Sequence, residues 1–249
     1  FMDLTTLRPE DTVEGVKALV DKVTEFHKMY PSYPLPASIC VYPNFAHVVK
    51  ENRVSPELHV TTVAGCFPSS QSFLEVKKME VEMAIADGAD EVDIVLALNA
   101  FLAGDDKTAG EEISEIKKIC EKHNVVLKVI LEPGILKTDE LIHRASMLAM
   151  EAGADFIKTS TGKVSVNATP EAATVMCKAI KEYYEKTGRK VGFKAAGGVS
   201  NADEALQYYE IGQSILGDEW MNKELFRFGV SRLGNSLVSA IENTEVKFF

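Results

Sequence analysis

Several features are missing from this chain, and each absence removes a class of function. Its 249 residues contain no run of about 18 apolar residues, so no transmembrane helix is expected. There is no Lys/Arg block and no basic–aromatic interleaving, and the formal net charge is −10. That argues against nonspecific binding to nucleic acid or to an anionic membrane. The five histidines (His27, His47, His59, His123, His143) are dispersed, without H-x-H or H-x-x-x-H spacing. A zinc-dependent mechanism therefore lacks its ligands, and neither a metal nor another cofactor is expected. The four cysteines include no C-x-x-C pair and read as free thiols, mostly buried, of a reducing cytoplasm. The N-terminus lacks a basic-then-apolar signal pattern. It starts at Phe1, so further residues are expected upstream.

What is present is an ordinary globular composition, 46% hydrophobic and 26% charged, with two anomalies. Lysines occur inside apolar, β-branched runs, in Asp155-Phe156-Ile157-Lys158-Thr159-Ser160-Thr161-Gly162 and in Val191-Gly192-Phe193-Lys194-Ala195-Ala196-Gly197-Gly198. A charged ammonium in a buried strand is costly unless it is paired or neutralised. Two of them, each leading within four residues to glycine, imply one pocket at strand ends. There each cation depresses the pKa of the other, and a neutral amine is what Schiff-base chemistry requires.

The order of the chain supplies the frame for such a pocket. Short β-rich segments at 37–42, 59–65, 91–96, 125–131, 155–160, 191–196, 213–217 and 226–229 read as strands. Amphipathic stretches at 45–53, 71–88, 107–123, 138–152, 170–187, 201–212, 219–224 and 231–242 read as helices, with an additional helix at 10–29 before the first strand. Thr169-Pro170-Glu171 and the pair Ser200 and Asp203 look like helix starts. Gly88, Gly153, Gly188 and Gly212 look like helix stops. Eight alternations predict an α/β fold, a (β/α)8 barrel with one additional N-terminal helix, spanning 1–249 as one domain. The competing open doubly wound sheet wants a glycine-rich first turn, where Tyr42-Pro43-Asn44-Phe45 stands instead.

Active sites of barrels lie at the C-terminal ends of the strands. Counted from the segment at 37–42, Lys158 falls on the fifth strand and Lys194 on the sixth, both facing inward near the strand ends. Asp93 on the third strand and Lys128 on the fourth point the same way, so one carboxylate and three amines converge. Lys128 has a plainer reading, as a cation neutralised by Asp93 or Glu132. The glycines of Gly197-Gly198-Val199-Ser200 and Gly229-Val230-Ser231 precede helices, where exposed N–H groups suit a phosphate. Thr161-Gly162-Lys163 is not a nucleotide P-loop, because Ile157 stands where the first glycine belongs and Val164 where Ser or Thr belongs.

These motifs, together with Asp3-Leu4-Thr5-Thr6-Leu7, Ile39-Cys40-Val41-Tyr42-Pro43, Gly88-Ala89-Asp90-Glu91-Val92-Asp93 and Leu127-Lys128-Val129-Ile130, resemble the deoxyribose-phosphate aldolases from Asp3 to about Ser231. The resemblance implies a metal-free class I aldolase that cleaves 2-deoxy-D-ribose 5-phosphate to D-glyceraldehyde 3-phosphate and acetaldehyde. It makes Lys158 the Schiff-base nucleophile, Lys194 its neighbouring cation and Asp93 the acid/base partner working through water. Gly162, Lys163, Gly197, Gly198, Gly229 and Ser231 then bind the phosphate, Thr5 touches a substrate hydroxyl, and Lys128 joins the substrate-binding set. Cys40 matches a thiol near the site. Departures are Ala195 in place of the usual proline after the lysine, the segment Leu96-Ala97-Leu98-Asn99-Ala100, and an ending in Phe249 where some relatives carry a tyrosine. The expected partner is a small phosphorylated sugar, and a homodimer is the expected assembly. Another Schiff-base aldolase or a transaldolase, and a barrel that binds a sugar phosphate without covalent chemistry, are the alternatives.

Overall fold

Eight parallel strands close into a barrel in simple sequential order, each strand paired with its chain neighbours and the last with the first. They are β1 (Met2–Thr5), β2 (Ser38–Val41), β3 (His59–Val63), β4 (Glu91–Val95), β5 (Val126–Ile130), β6 (Phe156–Lys158), β7 (Gly192–Ala196) and β8 (Phe226–Val230). The computed structural model describes residues 1–231 and 233–248. The principal crossover helices are α1 (Val13–Met29), α2 (Ala46–Asn52), α3 (Leu74–Ala86), α5 (Asp106–Lys122), α7 (Asp139–Glu151), α8 (Pro170–Thr187) and α9 (Ala202–Leu216). The short α4 (Leu98–Leu102) and α6 (Pro133–Leu136) follow β4 and β5, and α10 (Leu233–Glu242) follows β8. None of the described helices is long and apolar enough to cross a membrane.

The local chemistry fixes the helix ends. Thr12 and Thr169 accept the N–H groups of Gly15 and Ala172, each at 3.1 Å, and Pro170 occupies the first turn of α8. In α1 the buried residues Val16, Val20, Val23 and Phe26 recur at helical spacing and form the face turned to the barrel. Gly88, Gly153 and Gly188 have φ of 119°, 106° and 72°, the left-handed region that ends a helix without a Cβ penalty. The near-repeated aspartates behind the first two do the same work. Asp90 accepts the Val60 N–H and Asp155 the Leu127 N–H, both at 2.9 Å, tying each incoming strand to its neighbour.

The barrel differs from the sequence expectation at its N-terminal end and through α9. The helix expected as an addition is α1, the ordinary crossover from β1 to β2. β1 escapes a hydrophobic pattern because its polar residues face inward: Asp3 is fully buried in the barrel, while Leu4, only 1% exposed, packs on the helical layer. The strand expected at 213–217 is instead the last turn of α9 with its terminating Gly217, φ 90°. Each strand from 37–42 to 191–196 therefore moves up one place in the count. The cap of α9 is also displaced by one residue: Asn201 accepts the Glu204 N–H at 2.9 Å, while the Glu204 carboxylate takes the Ser200 N–H at 2.7 Å.

Gly212, read as a helix stop, lies inside α9. A Cβ there would stand 2.5 Å from the Phe226 ring, which is fully buried among Phe193, Phe228 and Tyr209. Helix propensity alone favours Gly212→Ala by about 1 kcal/mol. Packing should reverse that sign, with a net destabilisation of about 1–3 kcal/mol, read as a lower urea midpoint. A raised midpoint would show that Phe226 yields.

Candidate active site

In most barrels of this fold the interior is filled by layers of branched apolar side chains. Here the inward positions carry Asp3 on β1, Ser38 and Cys40 on β2, Thr61 on β3, Glu91 and Asp93 on β4, Lys128 on β5, Lys158 on β6, Lys194 on β7 and Arg227 on β8. All of them are at most 3% exposed. Strand register sets them side by side: Asp93 opposite Lys128, Lys158 opposite Lys194, Lys194 opposite Arg227. Space for these long side chains comes from glycines on the same inward face. A Cβ at Gly192 would lie 2.4 Å from the Phe156 ring, and one at Gly229 would lie 3.1 Å from Lys194 Cε.

Asp93 is the hub. Its Oδ2 accepts from Lys158 Nζ and from Lys194 Nζ, both at 2.8 Å, and its Oδ1 accepts from Lys128 Nζ at 2.9 Å. Lys194 also holds Asp3 Oδ2 at 2.5 Å, and Lys128 also holds Glu91 Oε2 at 2.5 Å. Arg227 bridges the two outer acids, 2.5 Å from Asp3 Oδ1 and 2.9 Å from Glu91 Oε1. The lower edge is closed by His59, whose Nδ1 lies 2.7 Å from Glu91 Oε1.

Counting charges decides which base is exceptional. Three carboxylates face four basic groups, leaving one uncompensated positive charge in a buried site. Each buried ion costs several kcal/mol unless well paired, so the least supported base holds its proton least tightly. Lys194 and Arg227 each contact two carboxylates and Lys128 contacts three, whereas Lys158 has only Asp93 Oδ2, which it shares with Lys194. Burial, outweighing the attraction of Asp93, lowers the pKa of Lys158, and the Lys194 ammonium lowers it further. For Lys194, Asp3 and Asp93 overcome the burial cost and hold the pKa above its ordinary value. Asp93 and Glu91 are kept well below the carboxylate range because their cations override burial, which acts the other way. Burial pushes the Cys40 thiol up, so it stays protonated.

The sequence expectation of one carboxylate and three amines is therefore incomplete. Asp3, Glu91 and Arg227 were not assigned a role from sequence, although Asp3 and Glu91 stood inside the quoted motifs. Arg227 carried the same signal as the lysines, a charge between apolar strand residues in Phe226-Arg227-Phe228, whereas Asp3 lies between Met2 and Leu4 and Glu91 follows Asp90. Lys128 sits below the mouth, sealed by Glu91 and Asp93, and Glu132 does not neutralise it. Glu132 instead accepts the Thr161 N–H. Thr5 ends β1 at the mouth, half-buried, its hydroxyl donating to the Asp3 carbonyl at 2.9 Å.

The glycine loops gather at that same mouth. Gly162 and Gly198, φ 78° and 87°, would each point a Cβ into open space. A Cβ at Gly197 would meet Asn167 at 2.7 Å, and Ala168 N–H donates to the Gly197 carbonyl at 3.3 Å, so the β6–α8 and β7–α9 loops touch. The Lys163 ammonium donates to the Leu7 carbonyl at 2.5 Å. Ser231 is exposed just beyond β8. Ser160 Oγ is buried without a hydrogen-bond partner among the described residues. No group of three His, Cys, Asp or Glu side chains among the described residues is placed to hold a metal ion.

A family model described as DeoC/LacD family aldolase matches residues 1–231. The chain belongs to that family. A Caenorhabditis elegans relative, assigned by name to deoxyribose-phosphate aldolase, is 48% identical over 235 residues, covering 94% of this chain and 77% of the relative. Among solved structures, the aldolase QR15 is 27% identical with a TM-score of 0.76, covering 96% of both chains. The deoxyribose phosphate aldolase of Aeropyrum pernix, described as a unique tetramer, shares the fold at a TM-score of 0.77 and 24% identity, over 98% of this chain and 90% of its own. Membership in a DeoC/LacD aldolase family places carbon–carbon lyase chemistry in this barrel.

Lys194→Leu should raise the pKa of Lys158. The variant removes a cation that opposes protonation and leaves Asp3 and Asp93 short of positive charge. The midpoint for reductive methylation of Lys158 should move to higher pH by about one unit or more, whereas Lys194→Arg should keep it near the wild-type value. An unmoved midpoint in Lys194→Leu would show that burial alone tunes Lys158.

Proposed function

We propose that the protein reversibly cleaves 2-deoxy-D-ribose 5-phosphate to D-glyceraldehyde 3-phosphate and acetaldehyde, with Lys158 forming the Schiff base and no metal taking part. The observation that carries this reading is the pairing deficit of Lys158: a buried amine with one shared carboxylate beside a permanently charged Lys194. A neutral amine is the nucleophile that carbonyl addition needs.

The neutral Nζ of Lys158 adds to C1 of the open-chain sugar, and loss of water gives an iminium. Removal of the C3 hydroxyl proton then breaks the C2–C3 bond. Its electron pair moves to C2 and into the iminium, forming an enamine, while C3 leaves as the aldehyde of glyceraldehyde 3-phosphate. Protonation at C2 and addition of water release acetaldehyde and restore the amine. Asp93, an anion in the resting site, stabilises the cationic iminium. We assign it the proton-handling role through water, since its Oδ2 lies 2.8 Å from both lysine nitrogens. Lys128 acts from below, holding Asp93 Oδ1 at 2.9 Å. Gly162, Lys163, Gly197, Gly198, Gly229 and Ser231 border the space above these groups, and we assign that space to the phosphate. Thr5 at the same rim is assigned to a substrate hydroxyl.

Borohydride reduction in the presence of acetaldehyde and EDTA should add one ethyl group, mapped by peptide mass to Lys158. Labelling at Lys194 or Lys128 would overturn the assignment of the nucleophile, and no adduct at all would favour a noncovalent sugar-phosphate binder. An adduct that required added zinc would sink the metal-free mechanism.

The phosphate assignment has its own test. Ser231→Glu adds a negative charge at an exposed position after β8, so KM for deoxyribose 5-phosphate should rise about tenfold or more, the factor that 1.4 kcal/mol of repulsion gives. Turnover of unphosphorylated deoxyribose should change far less. Equal losses on both substrates would place the phosphate elsewhere.

A further inference from the structure

We propose that Glu132 is a positioning residue that shapes the phosphate-binding loop after β6 and so determines preference for a phosphorylated substrate. This deepens the reading of the site as that of a sugar-phosphate aldolase and rests on it.

Glu132 occupies an unusual backbone position near the mouth. It has φ 58° and ψ 62°, the left-handed region, and is followed by Pro133. A non-glycine residue there costs on the order of 1–3 kcal/mol, and a following proline disfavours helical conformations still further. The conformation persists because its neighbours hold it. The Glu132 N–H donates to the Thr159 carbonyl at 2.8 Å, and its carboxylate accepts the Thr161 N–H at 3.1 and 3.3 Å. One residue thus grips the chain on both sides of Ser160, directly after Lys158.

The grip continues outward. Thr161 Oγ1 accepts the Lys163 N–H at 3.0 Å, and the Lys163 ammonium donates to the Leu7 carbonyl. Gly162, with open space where a side chain would stand, is held between two anchored residues. Two residues beyond Glu132, a Cβ on Gly134 would lie 2.2 Å from the Val166 carbonyl oxygen, so the segment carrying Glu132 lies flush against the far side of the same loop. No cation pairs with the buried Glu132 carboxylate among the described residues; its hydrogen bond goes to the loop backbone. A carboxylate so placed serves the loop's shape, and burial raises its pKa.

The test compares Glu132→Gly, Glu132→Gln and the wild type on deoxyribose 5-phosphate and on unphosphorylated deoxyribose. Glycine accepts φ 58° without strain, so this variant removes the carboxylate while easing the backbone; circular dichroism and thermal melting confirm that it folds. Its KM for the phosphorylated sugar should rise about tenfold, with kcat and the turnover of deoxyribose changed less than about threefold. Glu132→Gln keeps an acceptor oxygen and should recover most of the loss. Equal losses on both substrates would overturn the proposal, and so would tighter binding in Glu132→Gln, which would mark the carboxylate as a repelling charge rather than an anchor. Isothermal titration with inorganic phosphate separates this from the catalytic reading. The wild type should bind phosphate more tightly than Glu132→Gly even if acetaldehyde fails to label Lys158, and equal affinities would reject the positioning role.

Discussion

Asp93 is the constraint on which the rest of the site depends. One carboxylate at the centre of a closed barrel receives three lysine nitrogens, and it cannot fully satisfy all of them. Lys194 and Lys128 resolve the competition by reaching second carboxylates, Asp3 and Glu91. Lys158 has none to reach. The lowered pKa of this lysine thus goes with the withholding of a partner from one member of an otherwise paired cluster. A hydrophobic pocket alone would depress a lysine pKa too, but it would not fix the nitrogen 2.8 Å from an acceptor. The charged surroundings do both at once.

The barrel makes that arrangement possible because strand register converts sequence positions into layers. Asp93 opposite Lys128, and Lys158 opposite Lys194, are consequences of parallel pairing. The long side chains then reach across the axis to acids on β1 and β4. Such an interior is expensive, since every ion has lost its water. The fold offsets the cost with near-complete pairing and with an apolar layer between strands and helices that is almost uninterrupted, from Val92 and Leu127 through Phe193 to Phe226. The small residues Gly192 and Gly229 are part of the same design, because a methyl group at either would displace the neighbouring Phe156 or Lys194.

Above the charged layer, the loops divide the labour differently. They contribute mostly backbone, with glycines at positive φ and loop-to-loop hydrogen bonds, and their charged groups go to backbone partners: the Lys163 ammonium to the Leu7 carbonyl and the Glu132 carboxylate to the Thr161 amide.

The sequence by itself determined the barrel class, the Thr169-Pro170 start of α8 and the glycine stops at Gly88, Gly153 and Gly188. It also marked Lys158, Lys194 and Asp93, because a charge inside a β-branched run violates hydrophobic patterning and so announces itself. It could not determine β1, whose polar residues face inward, nor tell the last turn of α9 from a strand, since a short apolar run such as Ile215-Leu216 fits both. Only the tertiary structure decided that Asp3, Glu91 and Arg227 complete the cluster, and that Lys158 rather than Lys194 lacks a second carboxylate. Nor did the local sequence give Glu132 its hold on the Thr161 loop. The reason is physical: propensity and periodicity are local, but a buried charge is set by partners up to 224 residues apart, as with Asp3 and Arg227, which meet only when the barrel closes.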